Sequence, residues 1–424
     1  MNAGPRFARL EDWLEWQQSL HPQAIDLGLA RVSRVLGRTG WRDPAQPVIT
    51  VGGTNGKGSC VALLEALLRA GGYRVGAFTS PHLIDYRERI RLDGALVSQA
   101  SLVAAFERIA DALDGESLTF FEFNTLAALL VFETWAPDAI VLEVGLGGRL
   151  DAVNVVDADV AVVVSFALDH MEWLGSDLES IGREKAGIFR RSRPAICGVP
   201  QPPGSVQQVA DETGARLLLR GRDFDAVEHV DGRWDYHDER GDLLGLPAPA
   251  LEGVAQKGNA ATALAALRQL ADRLPLDRAA IESGLTAVRL PGRFQRLPGA
   301  GGIEWVLDVA HNPAAAATLA SNLALHSVRG RTLAVCGMLD DKDVAGVLAA
   351  LRDRVDRWFA ATTEGPRGLA DVALATRARA VGIEMTAAGS VSDAMRRAAH
   401  EARAGDRIVV FGSFHTVGPA LACV

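Results

Sequence analysis

Ile49-Thr50-Val51-Gly52-Gly53-Thr54-Asn55-Gly56-Lys57-Gly58-Ser59 passes from an apolar run, through a glycine-rich turn, into a helical pattern. Pro47–Val51 predicts a strand, and Gly58–Ala70 (GSCVALLEALLRA) an amphipathic helix. Glycines between them let the backbone curl until successive N–H groups point inward, and the helix start adds positive dipole. Lys57 then supplies a point charge for outer phosphates, so the segment predicts a phosphate cradle formed by Thr54, Asn55, Gly56, Lys57, Gly58 and Ser59. The pattern departs from the strict G-x-x-x-x-G-K-[ST] loop. Val51 stands where the first Gly belongs, and Gly58 separates Lys57 from Ser59. That shift leaves Ser59 with two readings, a hydroxyl on Mg²⁺ or a helix cap.

On both sides of this loop, short apolar runs alternate with helical patterns, as a mostly parallel sheet covered by helices requires. Strands are expected at Tyr73–Thr79, Ala139–Val144, Val160–Ser165 and Pro194–Cys197, with helices at Leu126–Trp135 and Leu178–Phe189. Asp223–Leu246 is polar, with Asp231-Gly232 and Arg240-Gly241 turn signals, and predicts a small antiparallel excursion. Leu290-Pro291-Gly292-Arg293 and Leu297–Gly302 form the clearest break. Beyond it the alternation restarts, with strands expected at Ile303–Val309, Thr332–Cys336, Arg357–Ala361 and Arg407–Phe411. The expected organisation is a domain over residues 1–291, a linker over 292–300 and a second domain over 301–424.

The 424 residues exceed one ordinary core, and 48% hydrophobic with 23% charged residues is a globular mixture. A formal charge of −8 argues against nucleic acid as a general partner. Four scattered cysteines, without a C-x-x-C pair, indicate neither a zinc site nor a disulfide framework, and a reducing cytosol suits them. The charged, tryptophan-containing start is unlike a signal peptide, and no apolar stretch reaches a membrane span. A cytoplasmic protein without membrane attachment is expected.

Further segments carry a resemblance. Asp26-Leu27-Gly28-Leu29-Ala30-Arg31-Val32 precedes the loop; Thr79-Ser80-Pro81-His82-Leu83, Glu88-Arg89-Ile90 and Thr119-Phe120-Phe121-Glu122 follow it. Then come Glu143–Ala152 (EVGLGGRLDA), Asp169-His170, Glu184–Ile188, Gly292–Gln295, Asp308–Pro313, Lys342-Asp343 and Gly412–Thr416. Together with G-T-N-G-K-G-S they resemble the Mur ligase superfamily, in particular its folylpolyglutamate and dihydrofolate synthases.

The resemblance implies an α/β fold: an N-terminal P-loop-type, mostly parallel sheet domain with flanking helices, and a smaller Rossmann-like C-terminal domain. It implies ATP-dependent joining of L-glutamate to dihydropteroate and to tetrahydrofolate glutamates through an acyl phosphate. A Mur-type peptidoglycan-precursor ligase is the alternative, disfavoured because the phosphate loop begins near residue 52 and leaves no room for a UDP-sugar domain ahead of it. A nucleotide-binding module without ligase activity is the other rival.

By the same resemblance, Ser80, Glu143 and His170 hold Mg²⁺, although a strand-end carboxylate and a structural histidine are the ordinary readings of the last two. Lys185 is implied to be carbamylated and to hold a second Mg²⁺; unaided, it reads as a solvated helix lysine. Lys57, Lys185 and His311 are the implied catalytic residues. Asn259, Arg293 and Asp308 are implied ATP contacts, Asn259 also reading as a helix N-cap and Arg293 as an interdomain salt bridge. Leu29, Ala30, Arg31, Val32, Thr119, Phe120, Phe121, Glu122, Leu150, Asp151 and Ala152 are the implied pterin-binding set. Phe121 either stacks on a flat heterocycle or serves the core. Val153 replaces the family's threonine. Closure of the two domains around ATP and a monomeric state are expected.

Overall fold

The computed structural model describes residues 5–424 and divides into two compact units. The first comprises the chain up to His82 with Tyr86–Ala250 and Lys257–Val288. The second comprises Leu83–Asp85, Leu251–Gln256 and Arg289–Val424.

The first unit is built on eight strands: β1 (Val48–Gly52), β2 (Val75–Phe78), β3 (Ile90–Leu92), β4 (Ala95–Leu96), β5 (Ala139–Glu143), β6 (Val160–Val163), β7 (Pro194–Cys197) and β8 (Arg216–Leu219). Their order is β4-β3-β2-β5-β1-β6-β7-β8. Only the β2–β3 and β3–β4 pairings are antiparallel. The five residues of β1 and of β5 are all buried, as strands covered on both faces must be. Because β1 lies between β5 and β6, the loops after these three strands emerge side by side at a switch in strand order, where open α/β sheets place ligands.

Helices Leu10–Ser19, Gln99–Ala112 and Phe120–Trp135 cover the sheet with a shared aromatic core. Trp13 lies 5.8 Å from Phe106, and Phe106 lies 5.5 Å from Phe123. Each such buried ring contributes roughly 1.5–3 kcal/mol of burial free energy. The polar stretch folds as expected into an antiparallel sheet of β9 (Phe224–Glu228), β10 (Trp234–Asp238) and β11 (Leu243–Leu246).

The second unit carries β12 (Gln295–Pro298), β13 (Glu304–Asp308), β14 (Thr332–Cys336), β15 (Arg357–Thr362), β16 (Met385–Ser390) and β17 (Arg407–Phe411). Their order is β12-β13-β17-β14-β15-β16, parallel except for β12 against β13. Residues 292–300, expected to link domains, belong to this unit instead. The Gly292 turn (φ 71°) sends the chain into edge strand β12, which takes Pro298 at its last position. An edge tolerates a proline because one side of the strand needs no donor. Among the described residues, no helix is long and apolar enough to cross a membrane.

Candidate active site

The glycine-rich loop leaves β1 and enters helix Lys57–Ala70 through Gly56, whose left-handed φ of 86° suits glycine. A Cβ at Gly56 would stand 3.3 Å from Asn259 Oδ1, and one at Gly53 only 2.5 Å from Val164 Cγ2. The loop is tied to the segment after β6: Thr54 N–H donates to Ser165 O (3.0 Å), Asn55 N–H to Ser165 Oγ (2.8 Å), and Ser165 Oγ donates to Asn55 O (2.7 Å). Thr54 Oγ1 exchanges hydrogen bonds with the Ala167 backbone. Lys57 Nζ curls back onto Gly53 O (3.0 Å) and Thr54 O (3.2 Å), so the cation stands over the open loop.

The structure decides both capping alternatives. Gly56 caps the helix without a side-chain bond, and Ser59 lies buried inside its first turn, so Ser59 is not the cap. Asn259 lies within helix Gln256–Arg268, beside Gly56, rather than ahead of that helix.

Glu143 ends β5, is buried, and accepts a bond from Ser80 N–H (3.3 Å). His170 adopts a left-handed φ of 51°, and its N–H donates to Asp169 Oδ1 (2.9 Å). Lys185 is not a solvated helix residue: it is 3% exposed. Glycines make that burial possible. A Cβ at Gly148 would come within 2.9 Å of Lys185 O, so the Gly145–Gly148 loop packs directly on the end of helix Leu178–Ala186. Burial, aided by the Lys57 charge and opposed by Asp169 and Asp151, brings the Lys185 ammonium down to about 7. Burial also pushes the Asp151 carboxyl up to about 7, against backbone donors at Leu146, Val153 and Gly145.

Beside these groups lies a cavity of about 260 Å³. Its wall includes Thr119, Phe121, Glu122, Leu150, Asp151 and Ala152 of the expected pterin set, together with Ser80 and His170. The Phe121 ring reaches the cavity by passing over Gly145, where a Cβ would come within 2.5 Å of it. Leu29, Ala30, Arg31, Val32 and Phe120 are absent from the wall. Val32 is wholly in the core. Arg31 acts from behind, donating to both Glu122 oxygens (2.9 and 3.0 Å) and ion-pairing with Asp26. Glu122 in turn closes a capping box with Thr119, which fixes the start of helix Phe120–Trp135 at the cavity edge. Asp26 and Arg89 also line the cavity, and the sequence had assigned them no role.

In the second unit, Asp308 accepts bonds from Phe294 N–H and Ala310 N–H (2.8 Å each); burial raises its carboxyl pKa, against the Arg293 charge. The Arg293 guanidinium lies 5.0 Å from the Phe414 ring centre. His311 Nδ1 is 2.8 Å from Val309 O, and Asn312 caps helix Pro313–Leu325.

Residues 292–414 match the model for the Mur ligase glutamate ligase domain. Along nearly the whole chain, the dihydrofolate synthase/folylpolyglutamate synthase of Escherichia coli K12 is 47% identical over 412 residues, covering 96% of this chain and 94% of that one. The chain belongs to the dihydrofolate synthase/folylpolyglutamate synthase family. The Mycobacterium tuberculosis member is 34% identical over 84% of this chain and 78% of its own length. Among solved members of the family, the E. coli enzyme in complex with DHPP and ADP superposes with a TM-score of 0.93 at 46% identity, covering 99% of this chain and 98% of that one. A Yersinia pestis member complexed with AMPPNP and Mn gives 0.91 at 45% identity, covering 99% of both chains. The mixed α/β architecture expected from the sequence is therefore that of the family, and the Mur-type alternative has no such support.

Proposed function

We propose that this chain joins L-glutamate to dihydropteroate, forming dihydrofolate, and to tetrahydrofolate glutamates, forming polyglutamates. It is an ATP-dependent carboxylate–amine ligase. Both carboxylate and amine are stabilised as ions in water, so the acid must first become a mixed anhydride with phosphate, which the amine can then attack. The protein's tasks are neutralising phosphate charge and aligning the reactants.

The residues suit ATP and a divalent ion. At Gly53 and Gly56 a side chain would run into Val164 and Asn259, so glycine lets the loop backbone lie close against these neighbours, and Lys57 stands over it. Among the described residues no three His, Cys, Asp or Glu side chains form a ready metal cage. That agrees with Mg²⁺, which keeps several waters and takes phosphate oxygens besides one or two carboxylates. Glu143, Ser80 and His170 would hold one ion, which supplies charge neutralisation at the phosphates. Lys185, near neutrality in its buried place, has the free amine that adds CO₂; as a carbamate it would offer anionic oxygens to a second ion. Lys57 draws the outer phosphates onto the loop N–H groups. Phe121 offers its face to the flat pterin, and Asp151 with Ala152 shapes the far wall.

ATP contacts at Arg293 and Asp308, and glutamate handling at His311, are assigned on the family resemblance alone. We place the protein in the cytoplasm, consistent with four unpaired cysteines, and take it to act as a monomer.

The observation that carries the reading is the aromatic-walled cavity shared by Ser80 and His170 with the pterin set, in the same unit as a phosphate loop. ADP release is its test. Release should require dihydropteroate and L-glutamate together; turnover only with UDP-muramyl substrates would overturn the reading in favour of a cell-wall ligase.

A further inference from the structure

Among the described residues two arginines are buried, Arg407 and Arg89, and the partly buried Arg91 and Arg31 face carboxylates as Arg407 does. Arg407 pairs with Glu304 at 2.8 Å, Arg91 with Glu65 at 2.7 Å, and Arg31 with Glu122 at 2.9 Å. Arg89 does not. It ends the short 3₁₀ turn Tyr86–Arg89, is 8% exposed, and lines the cavity beside Ser80 and Phe121. Among the described residues its guanidinium makes one hydrogen bond, Nε to His82 Nδ1 at 2.9 Å, and no carboxylate pairs with it. Its flanks are the rings of Phe120 (5.4 Å) and Tyr86 (6.0 Å). Glu143 and Glu88 act on its charge only from beyond contact, and burial pulls its pKa downward.

A desolvated cation without an anion in contact is costly, and removing water from both partners is worthwhile only when the partner arrives. Its Nη donors are the planar fork that suits a carboxylate in two-point contact. His82 fixes that fork: to accept from Nε its Nδ1 must carry a lone pair, so His82 is a positioning residue held in one tautomer. The substrates proposed above bring an acid into this cavity, and that acid must come to rest near the Glu143 metal position.

We propose that Arg89 binds the carboxylate of the pteroate substrate and orients it for phosphorylation. The assignment deepens the proposed function and rests on it. It makes Arg89 a substrate-contacting residue with a charge-specific role, and it explains why this one arginine is buried without an ion pair.

The test compares dihydropteroate with its uncharged methyl ester by calorimetry on full-length enzyme. The unmodified enzyme should bind the acid at least about tenfold more tightly than the ester. Arg89→Met should bring the two within about twofold by weakening the acid alone. Arg89→Lys, which keeps a charge but loses the fork, should show an intermediate ratio, and it serves as the test if the methionine variant does not fold. An acid preference unchanged in the variants would overturn the proposal while leaving the pteroate reading intact. Failure of the unmodified enzyme to bind either ligand would overturn the substrate assignment itself, and Arg89's role with it.

Discussion

Lys185 shows how far a residue's environment can depart from its local sequence. Gly182-Arg183-Glu184-Lys185-Ala186 reads as a solvated helix face, yet its lysine is buried, while Arg183 stays exposed and pairs with Glu212. The cause lies elsewhere in the chain, in glycines that let the Gly145–Gly148 loop close over the helix end, and no helical periodicity contains that information. Because the amine that adds CO₂ must be unprotonated, and burial lowers this one to about 7, modification should follow pH with a definite sign. In ¹³C-bicarbonate near pH 8 the enzyme should show a carbamate carbon that fades as pH falls below about 7 and is missing from Lys185→Arg. A spectrum without that signal at any pH would remove the carbamate from the mechanism. The phosphate loop is the opposite case: its glycines, Lys57 and following helix were legible because each is required locally. Ser165, which ties the loop down, was not, since only the neighbouring of β1 and β6 brings it there.

At the scale of elements, strands buried on both faces announced themselves as unbroken apolar runs, and β1, β5, β6, β7, β14 and β17 lie where those runs are. The strands left unread are β3, β4, β8, β12 and β16. Of these, β4 and β12 are polar or short edge strands, and β16 is an Ala/Gly-rich edge without alternation. Helix Phe120–Trp135 begins six residues before the expected Leu126, because Thr119 and Glu122 form a capping box at its start. That box joins stability to the cavity, since Glu122 also receives Arg31. Thr119→Ala should cost about 1 kcal/mol and lower the melting temperature by about 2 °C. It should also weaken pteroate binding, because Thr119 stands on the wall. A melting temperature equal to that of the parent protein would show that the box adds nothing to the fold.

The whole chain contains two α/β units with separate cores, and the groups assigned to ATP on family grounds fall in both. Arg293→Ala should therefore lower turnover about a hundredfold with little loss of fold stability; an undiminished rate would take Arg293 out of the chemistry. All of these assignments serve one reaction, phosphorylation of an acid followed by its capture as an amide. Dihydropteroate labelled with ¹⁸O in its carboxylate, turned over with ATP, Mg²⁺ and L-glutamate, tests that sequence most directly. One labelled oxygen should pass to inorganic phosphate for each amide formed. Phosphate released without label, while dihydrofolate accumulates, would contradict the acyl-phosphate route.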